Sequence, residues 1–183
     1  MPSSSWLMVI DMQPAFSHPD SPWFTPSLKE VGKRIETLVP LYGERVLFTR
    51  FVPPQELTGS WRSYYDKWHF AARKDADWLW DLDHPWQGRP SIASHTFSKW
   101  VPEAIARLGP EPEVALCGVS TDCCVLGTAL AAVDHGAHVR IVADACAAKT
   151  EDLHLRALSL LALRAPQLAI VTIEQERQLL GAK

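Results

Sequence analysis

Cys124 stands where a thiol can do chemistry. The run Val114-Ala-Leu-Cys-Gly-Val-Ser-Thr-Asp-Cys-Cys-Val125 begins as an apolar, strand-like stretch and breaks at Gly118. It then passes Ser120, Thr121 and Asp122 into a helical pattern with Cys124 in its first turn. A thiol there faces backbone N–H groups without intrahelical partners and the positive end of the helix dipole. Both favour thiolate, the nucleophilic form. The same N–H groups can hold an oxyanion as it forms on a substrate carbonyl. Such a site suits a cysteine-dependent hydrolase. Far upstream, Asp11 ends the apolar run Trp6-Leu-Met-Val-Ile10.

Residues so far apart meet only if the fold brings them together. Short apolar runs at 6–10, 45–49, 114–117, 139–143 and 168–172 suit strands buried on both faces, with a weaker one at 91–94. Helical patterns lie between them, over 27–41, 102–108, 122–135, 151–164 and 174–180. Pro102 fits a first helical turn, Gly136 a helix stop, and Pro166 follows the fourth pattern. Alternating strands and helices predict an α/β fold with a parallel sheet, helices on both faces and right-handed crossovers. Ligands of such folds bind beyond the C-terminal ends of the strands, which is where Asp11 and Cys124 would converge.

The 183 residues suit one domain, 1–183, with 47% hydrophobic and 21% charged residues. A net charge of −3 and the lack of a Lys/Arg cluster give no case for nucleic acid. No apolar run is long enough to span a bilayer. The polar opening Met1-Pro-Ser-Ser-Ser does not have the pattern of a signal peptide. Cys117, Cys123, Cys124 and Cys146 have neither zinc-site spacing nor the density of a disulfide scaffold, which predicts a cytoplasmic chain with reduced thiols. Adjacent Cys123 and Cys124 are expected on different sides of a helix, and Cys117, Cys123 and Cys146 as core fillers. A Cys123–Cys124 disulfide would be strained. Asp122 is expected to cap the helix, and Asp144 to hold the loop beyond its strand.

The segment from Pro53 to Arg89 breaks the rhythm with Trp61, Trp68, Trp78, Trp80 and Trp86, beside Tyr64 and Tyr65. It is expected either to pack on the sheet edge or another subunit, or to wall a pocket with aromatic surface. With Phe16, Trp23 and Phe24 it would shape a pocket for a small, planar molecule.

The chain resembles the isochorismatase-like cysteine hydrolase superfamily. The resemblance spans nearly the whole sequence and rests on several motifs in order. These are Leu7-Met-Val-Ile-Asp-Met-Gln13 with Phe16 following, Phe48-Thr-Arg50, Gly118-Val-Ser-Thr-Asp-Cys-Cys-Val125, Thr128-Ala-Leu-Ala-Ala132 and Val142-Ala-Asp-Ala145. The resemblance implies a three-layer αβα, Rossmann-like fold with a six-stranded parallel sheet, in a homodimer or homotetramer. It implies Cys124 as nucleophile, with Cys123 in a variable position, and Asp11 as general base. A non-proline cis peptide is implied at Val119–Ser120, with the Ser120 and Cys124 N–H groups as oxyanion hole. The family's lysine position is occupied by Ser94 in Ser94-His-Thr-Phe-Ser-Lys-Trp100. Either Lys99 reaches back into the site, or the triad lacks its cation.

No histidine pair like that of the metal-dependent nicotinamidases is present, so neither metal nor other cofactor is expected. The leading expectation is hydrolysis of a C–N bond in a small amide, ureide or N-carbamoyl compound through a thioester. The alternatives are an isochorismatase-type hydrolase of a vinyl ether, or a non-catalytic oligomeric family member that binds a small molecule.

Overall fold

In the computed structural model, residues 5–181 are described; Met1 to Ser4, part of the polar opening, lie outside them. Six strands form one sheet: β1 (Trp6–Ile10), β2 (Val46–Phe51), β3 (Ser91–Ser94), β4 (Glu113–Val119), β5 (His138–Ala147) and β6 (Leu168–Val171). Their order is β3-β2-β1-β4-β5-β6, and every pairing is parallel. Leu7, Met8, Val9 and Ile10 are all fully buried, as a central strand covered on both faces requires. Order reverses between β1 and β4, so the crevice beyond these two strands is the switch point at which doubly wound folds bind ligands.

The helices are α1 (Pro14–Ser17), α2 (Leu28–Tyr42), α3 (Trp61–Lys67), α4 (Pro102–Leu108), α5 (Leu126–Asp134), α6 (Glu151–Ala162) and α7 (Ile173–Gly181). In α2, Leu28, Val31, Ile35, Leu38 and Tyr42 fall on one face and are buried. Helices α2 and α7 pack together, as do α5 and α6. Right-handed crossovers put the two pairs on opposite faces, giving three layers. Tyr42 of α2 donates to Glu176 of α7, which also pairs with Arg140 of β5 at 2.7 Å. This buried network closes the end of the sheet away from the switch point. Asp144 Oδ1 accepts the Ile173 N–H at 2.9 Å, so it fixes the start of α7. Among the described residues no helix is long and apolar enough to cross a membrane.

Most expected elements stand within a residue or two of their observed bounds. The exceptions are β5, which runs four residues past the expected 143, and the helix expected at 122–135. There Thr121–Val125 forms a π turn, and the α-helix begins only at Leu126. The segment 53–89 is not wholly irregular: it holds α3 and 3₁₀ turns at His69–Ala72 and Lys74–Trp80.

Candidate active site

At the tip of β1 the backbone turns through Asp11, whose φ is +53°. Asp11 is wholly buried, and its Oδ1 accepts the Thr49 hydroxyl at 2.8 Å. Its Oδ2 faces Lys99 Nζ at 3.2 Å as an ion pair, without a well-aligned hydrogen bond. Lys99 is also fully buried; its Nζ donates to Thr96 O at 2.7 Å and lies 4.8 Å from the centre of the Phe51 ring. The cation therefore enters from the loop after β3, five residues beyond Ser94.

On the other side of the switch point, Gly118 has φ +110° in β4. A Cβ there would run into the Ile10 backbone, so only glycine lets β4 approach β1 this closely. The Val119–Ser120 peptide is cis. The π turn follows, with the Val125 N–H bonded to Ser120 O at 3.0 Å. Thr128, four residues beyond Cys124, donates to Cys124 O at 2.6 Å and accepts the Lys99 N–H at 2.8 Å. One buried hydroxyl thus ties the lysine loop to the cysteine turn. From α6, His154 Nδ1 shares a 2.8 Å hydrogen bond with the buried Thr121 hydroxyl.

Charge in this site is set by burial. Burial raises the Asp11 carboxyl above the ordinary range; the Lys99 charge opposes this, and the hydrogen bond from Thr49 opposes it less. The Cys124 thiol is pushed well up, first by its hydrogen bond to Cys123, then by burial and the nearby Asp11 charge. Cys123 is shifted down, chiefly because it accepts that hydrogen bond. These effects oppose the thiolate that a helix start favours at Cys124. Cys124 is only 4% exposed and sits beside the Asp11 carboxylate.

A cleft of about 180 Å³ opens over Cys124, room for a small molecule. Phe16, Trp23, Phe51, Tyr64, Trp68 and Phe97 wall it, with Ser120 and both Cys123 and Cys124 at its base. Phe16 and Trp23 stack at 5.9 Å, and Trp23 meets Trp68 edge-on at 6.0 Å. Phe24 is not part of this wall: in the turn closed by its N–H to Ser21 O, Trp23 faces inward and Phe24 does not. Both expectations for the tryptophan-rich segment apply, residue by residue. Trp80 and Trp86 are buried packing, whereas Tyr64 and Trp68 line the cleft. At the rim, Lys149 Nζ donates to Pro22 O at 3.0 Å.

Two further expectations are corrected. Asp122 does not cap the turn; its carboxylate accepts the Ser120 hydroxyl at 2.6 Å instead. Cys123 is not a core filler on another side from Cys124, because the wide π turn brings both to the cleft. Sequence reasoning also missed Gln13, Thr128, His154 and Lys149. Thr128 had a signal, its helical spacing of four from Cys124. Gln13 had one too, as the last residue of the motif Leu7–Gln13, whereas for His154 and Lys149 the sequence carries none, because their partners are distant. Gln13 is fully buried; its Nε2 donates to Phe51 O and Trp80 O, and its Oε1 accepts the Phe51 N–H. Among the described residues no group of three or more His, Cys, Asp or Glu is arranged to hold a metal ion.

The isochorismatase domain model matches residues 5–175. Isochorismatase domain-containing protein 2 from Xenopus laevis is 39% identical over 81 residues, 38% of this chain and 40% of that protein. The aligned stretch thus spans well under two thirds of this relative. A cysteine hydrolase structure from Pseudomonas syringae pv. phaseolicola 1448A is similar with a TM-score of 0.81 at 18% identity, covering 100% of this chain and 97% of that one. Nicotinamidase PncA from Bacillus subtilis is similar with a TM-score of 0.73 at 17% identity, covering 92% and 99%. With a domain match across nearly all of its length and the six-stranded parallel sheet to go with it, the chain belongs to the isochorismatase-like hydrolase family.

Proposed function

We propose that the protein is a thiol hydrolase that cleaves a C–N bond of a small, planar amide, ureide or N-carbamoyl compound. The observation that carries this reading is the wholly buried Asp11–Lys99 pair beside Cys124 at the base of an aromatic cleft. A buried carboxylate with raised proton affinity is a competent base for a thiol that itself resists ionisation. Cys124 therefore stays neutral at rest and gives its proton to Asp11 as its sulfur attacks the substrate carbonyl. Lys99 holds the Asp11 charge before that transfer. The Ser120 and Cys124 N–H groups serve as donors to the oxyanion, in keeping with the free N–H groups of a helical start.

Collapse of the tetrahedral adduct breaks the C–N bond, and protonated Asp11 returns its proton to the leaving amine. The acyl group remains on Cys124 as a thioester. Water, deprotonated by Asp11, then attacks that carbonyl and releases the acid and the thiol. The aromatic walls favour a flat acyl group and keep bulk water from the sulfur. No step calls for a metal or other cofactor. The names of the similar cysteine hydrolase and nicotinamidase agree with C–N hydrolysis. The same reading includes self-association as a homodimer or homotetramer, which sedimentation velocity tests.

A panel of small amides, ureides and N-carbamoyl compounds, assayed for ammonia release, tests the reaction. The expected result is turnover of at least one, lost in Cys124→Ala and in Asp11→Asn. Activity that survives Cys124→Ala overturns the thiol mechanism.

A further inference from the structure

Cys123 and Cys124 are both free thiols and both form part of the cleft wall. In a regular α-helix, neighbouring side chains diverge by about 100°. Here the Val125 and Leu126 N–H groups reach back five residues, to Ser120 O and Thr121 O, and the widened turn presents both sulfurs to one space. Aromatic rings, among them Trp23, Tyr64 and Trp68, stand over them. Cys117 is different: it is fully buried, its Sγ donates to Met8 O, and it does not reach the cleft. The hydrolytic reading uses Cys124 and leaves Cys123 without a task.

We propose that Cys123 and Cys124 act together as a vicinal dithiol site for trivalent arylarsenicals, with the aryl group against the aromatic wall. Soft sulfur donors suit a thiophilic centre, and two donors on one turn hold it as a chelate. With an arylarsine oxide, two As–S bonds form and the As–O bonds break. Both thiol protons leave with the oxygen as water. Arsenic stays trivalent, so neither oxidant nor reductant is consumed. A direct disulfide between neighbours is strained, whereas a bridging arsenic atom enlarges the ring and lets each sulfur keep its place. The proposal concerns binding and does not rest on C–N hydrolysis.

The test uses phenylarsine oxide with the intact protein, read by whole-protein mass spectrometry. The expected result is one arsenic per chain with loss of one water, resistant to excess glutathione and reversed by dithiothreitol. Cys123→Ser, Cys123→Ala and Cys124→Ser should each lose the glutathione-resistant adduct, while Cys146→Ser keeps it. Circular dichroism identifies which variants are folded, and two at position 123 keep the test usable if one is not. A wild-type adduct stripped by glutathione overturns the proposal. So does an adduct that persists in folded Cys123 variants or disappears in Cys146→Ser. Failure of the amidase reading alone would leave every one of these readouts unchanged.

Discussion

Lys99 Nζ lies 3.2 Å from Asp11 Oδ2, and both side chains are wholly shielded from solvent. Neither charge is tolerable there alone, since an unpaired buried ion costs several kcal/mol. Lys99→Met should therefore destabilise the fold by about 3–5 kcal/mol at neutral pH. Burial already raises the Asp11 carboxyl, and without Lys99 it rises further. A raised carboxyl favours the folded state below its unfolded pKa, and that contribution disappears as pH climbs through the folded one. The variant should thus regain stability on acidification. The double variant Asp11→Asn with Lys99→Met should recover most of the loss at neutral pH, yet have no hydrolytic activity. Urea unfolding below and above neutrality measures all three. A Lys99→Met protein as stable as wild type at every pH would show that the pair is not coupled.

Alkylation separates the two thiols. Cys124 is pushed up first by its hydrogen bond to Cys123, and Cys123 is shifted down through the same contact. Cys123 is also the more exposed of the two. Iodoacetamide near neutral pH should therefore label Cys123 before Cys124, as peptide mass mapping will show. Cys123→Ser should move the pH dependence of Cys124 labelling, because the largest cause of its shift has changed. Initial labelling confined to Cys124, with no response to Cys123→Ser, would contradict this arrangement.

The sheet was legible because buried parallel strands leave largely apolar runs, unbroken at 6–10 and broken only by Arg140 at 139–143, separated by helical periods. The positions of Asp11 and Cys124 at strand and helix boundaries were legible for the same reason. What the sequence could not display was the turn type at 121–125. One wider turn changes which way Cys123 points, and no residue there announces a π rather than an α pattern. Helix position at Cys124 is local information, whereas burial and the Asp11 charge, which oppose its ionisation, come from across the fold. Phe24 was grouped with Trp23 by proximity along the chain, which says nothing of which side chain turns inward.

Gln13 fastens the end of β2 and the tryptophan-rich segment to the loop after β1 through three hydrogen bonds, all 2.8–2.9 Å and buried. Gln13→Ala removes this partner from the Phe51 N–H and Phe51 O, whereas Trp80 O keeps its bond from the Arg50 guanidinium at 3.0 Å. Each such orphan costs on the order of 1–3 kcal/mol, so a combined loss of about 3 kcal/mol is expected in chemical denaturation. Phe51 and Trp80 both touch Trp23, so the cleft wall should loosen as well. In a turnover assay that would raise KM more than it lowers kcat. Unchanged stability would mean that water replaces all three bonds.

His154 ties α6 to the cysteine turn through its 2.8 Å contact with Thr121. Burial lowers the imidazole below its ordinary 6.5, with Glu151 opposing that shift. The fold therefore favours neutral His154, and the sign follows. Its contribution is complete above the unfolded value near 6.5 and is lost as pH falls through the lower folded value. In the tautomer whose Nδ1 accepts the Thr121 hydroxyl, protonation also reverses the bond, since Nδ1 becomes a donor and that hydroxyl must find another acceptor in a buried turn. Thermal unfolding of wild type should weaken more steeply on the acid side than that of His154→Gln. The variant itself should lose about 1 kcal/mol at neutral pH, the worth of one such hydrogen bond. If both proteins follow parallel curves through mild acid, the imidazole does not titrate in contact with Thr121, and the turn bearing Cys124 is held by Thr128 and its own backbone.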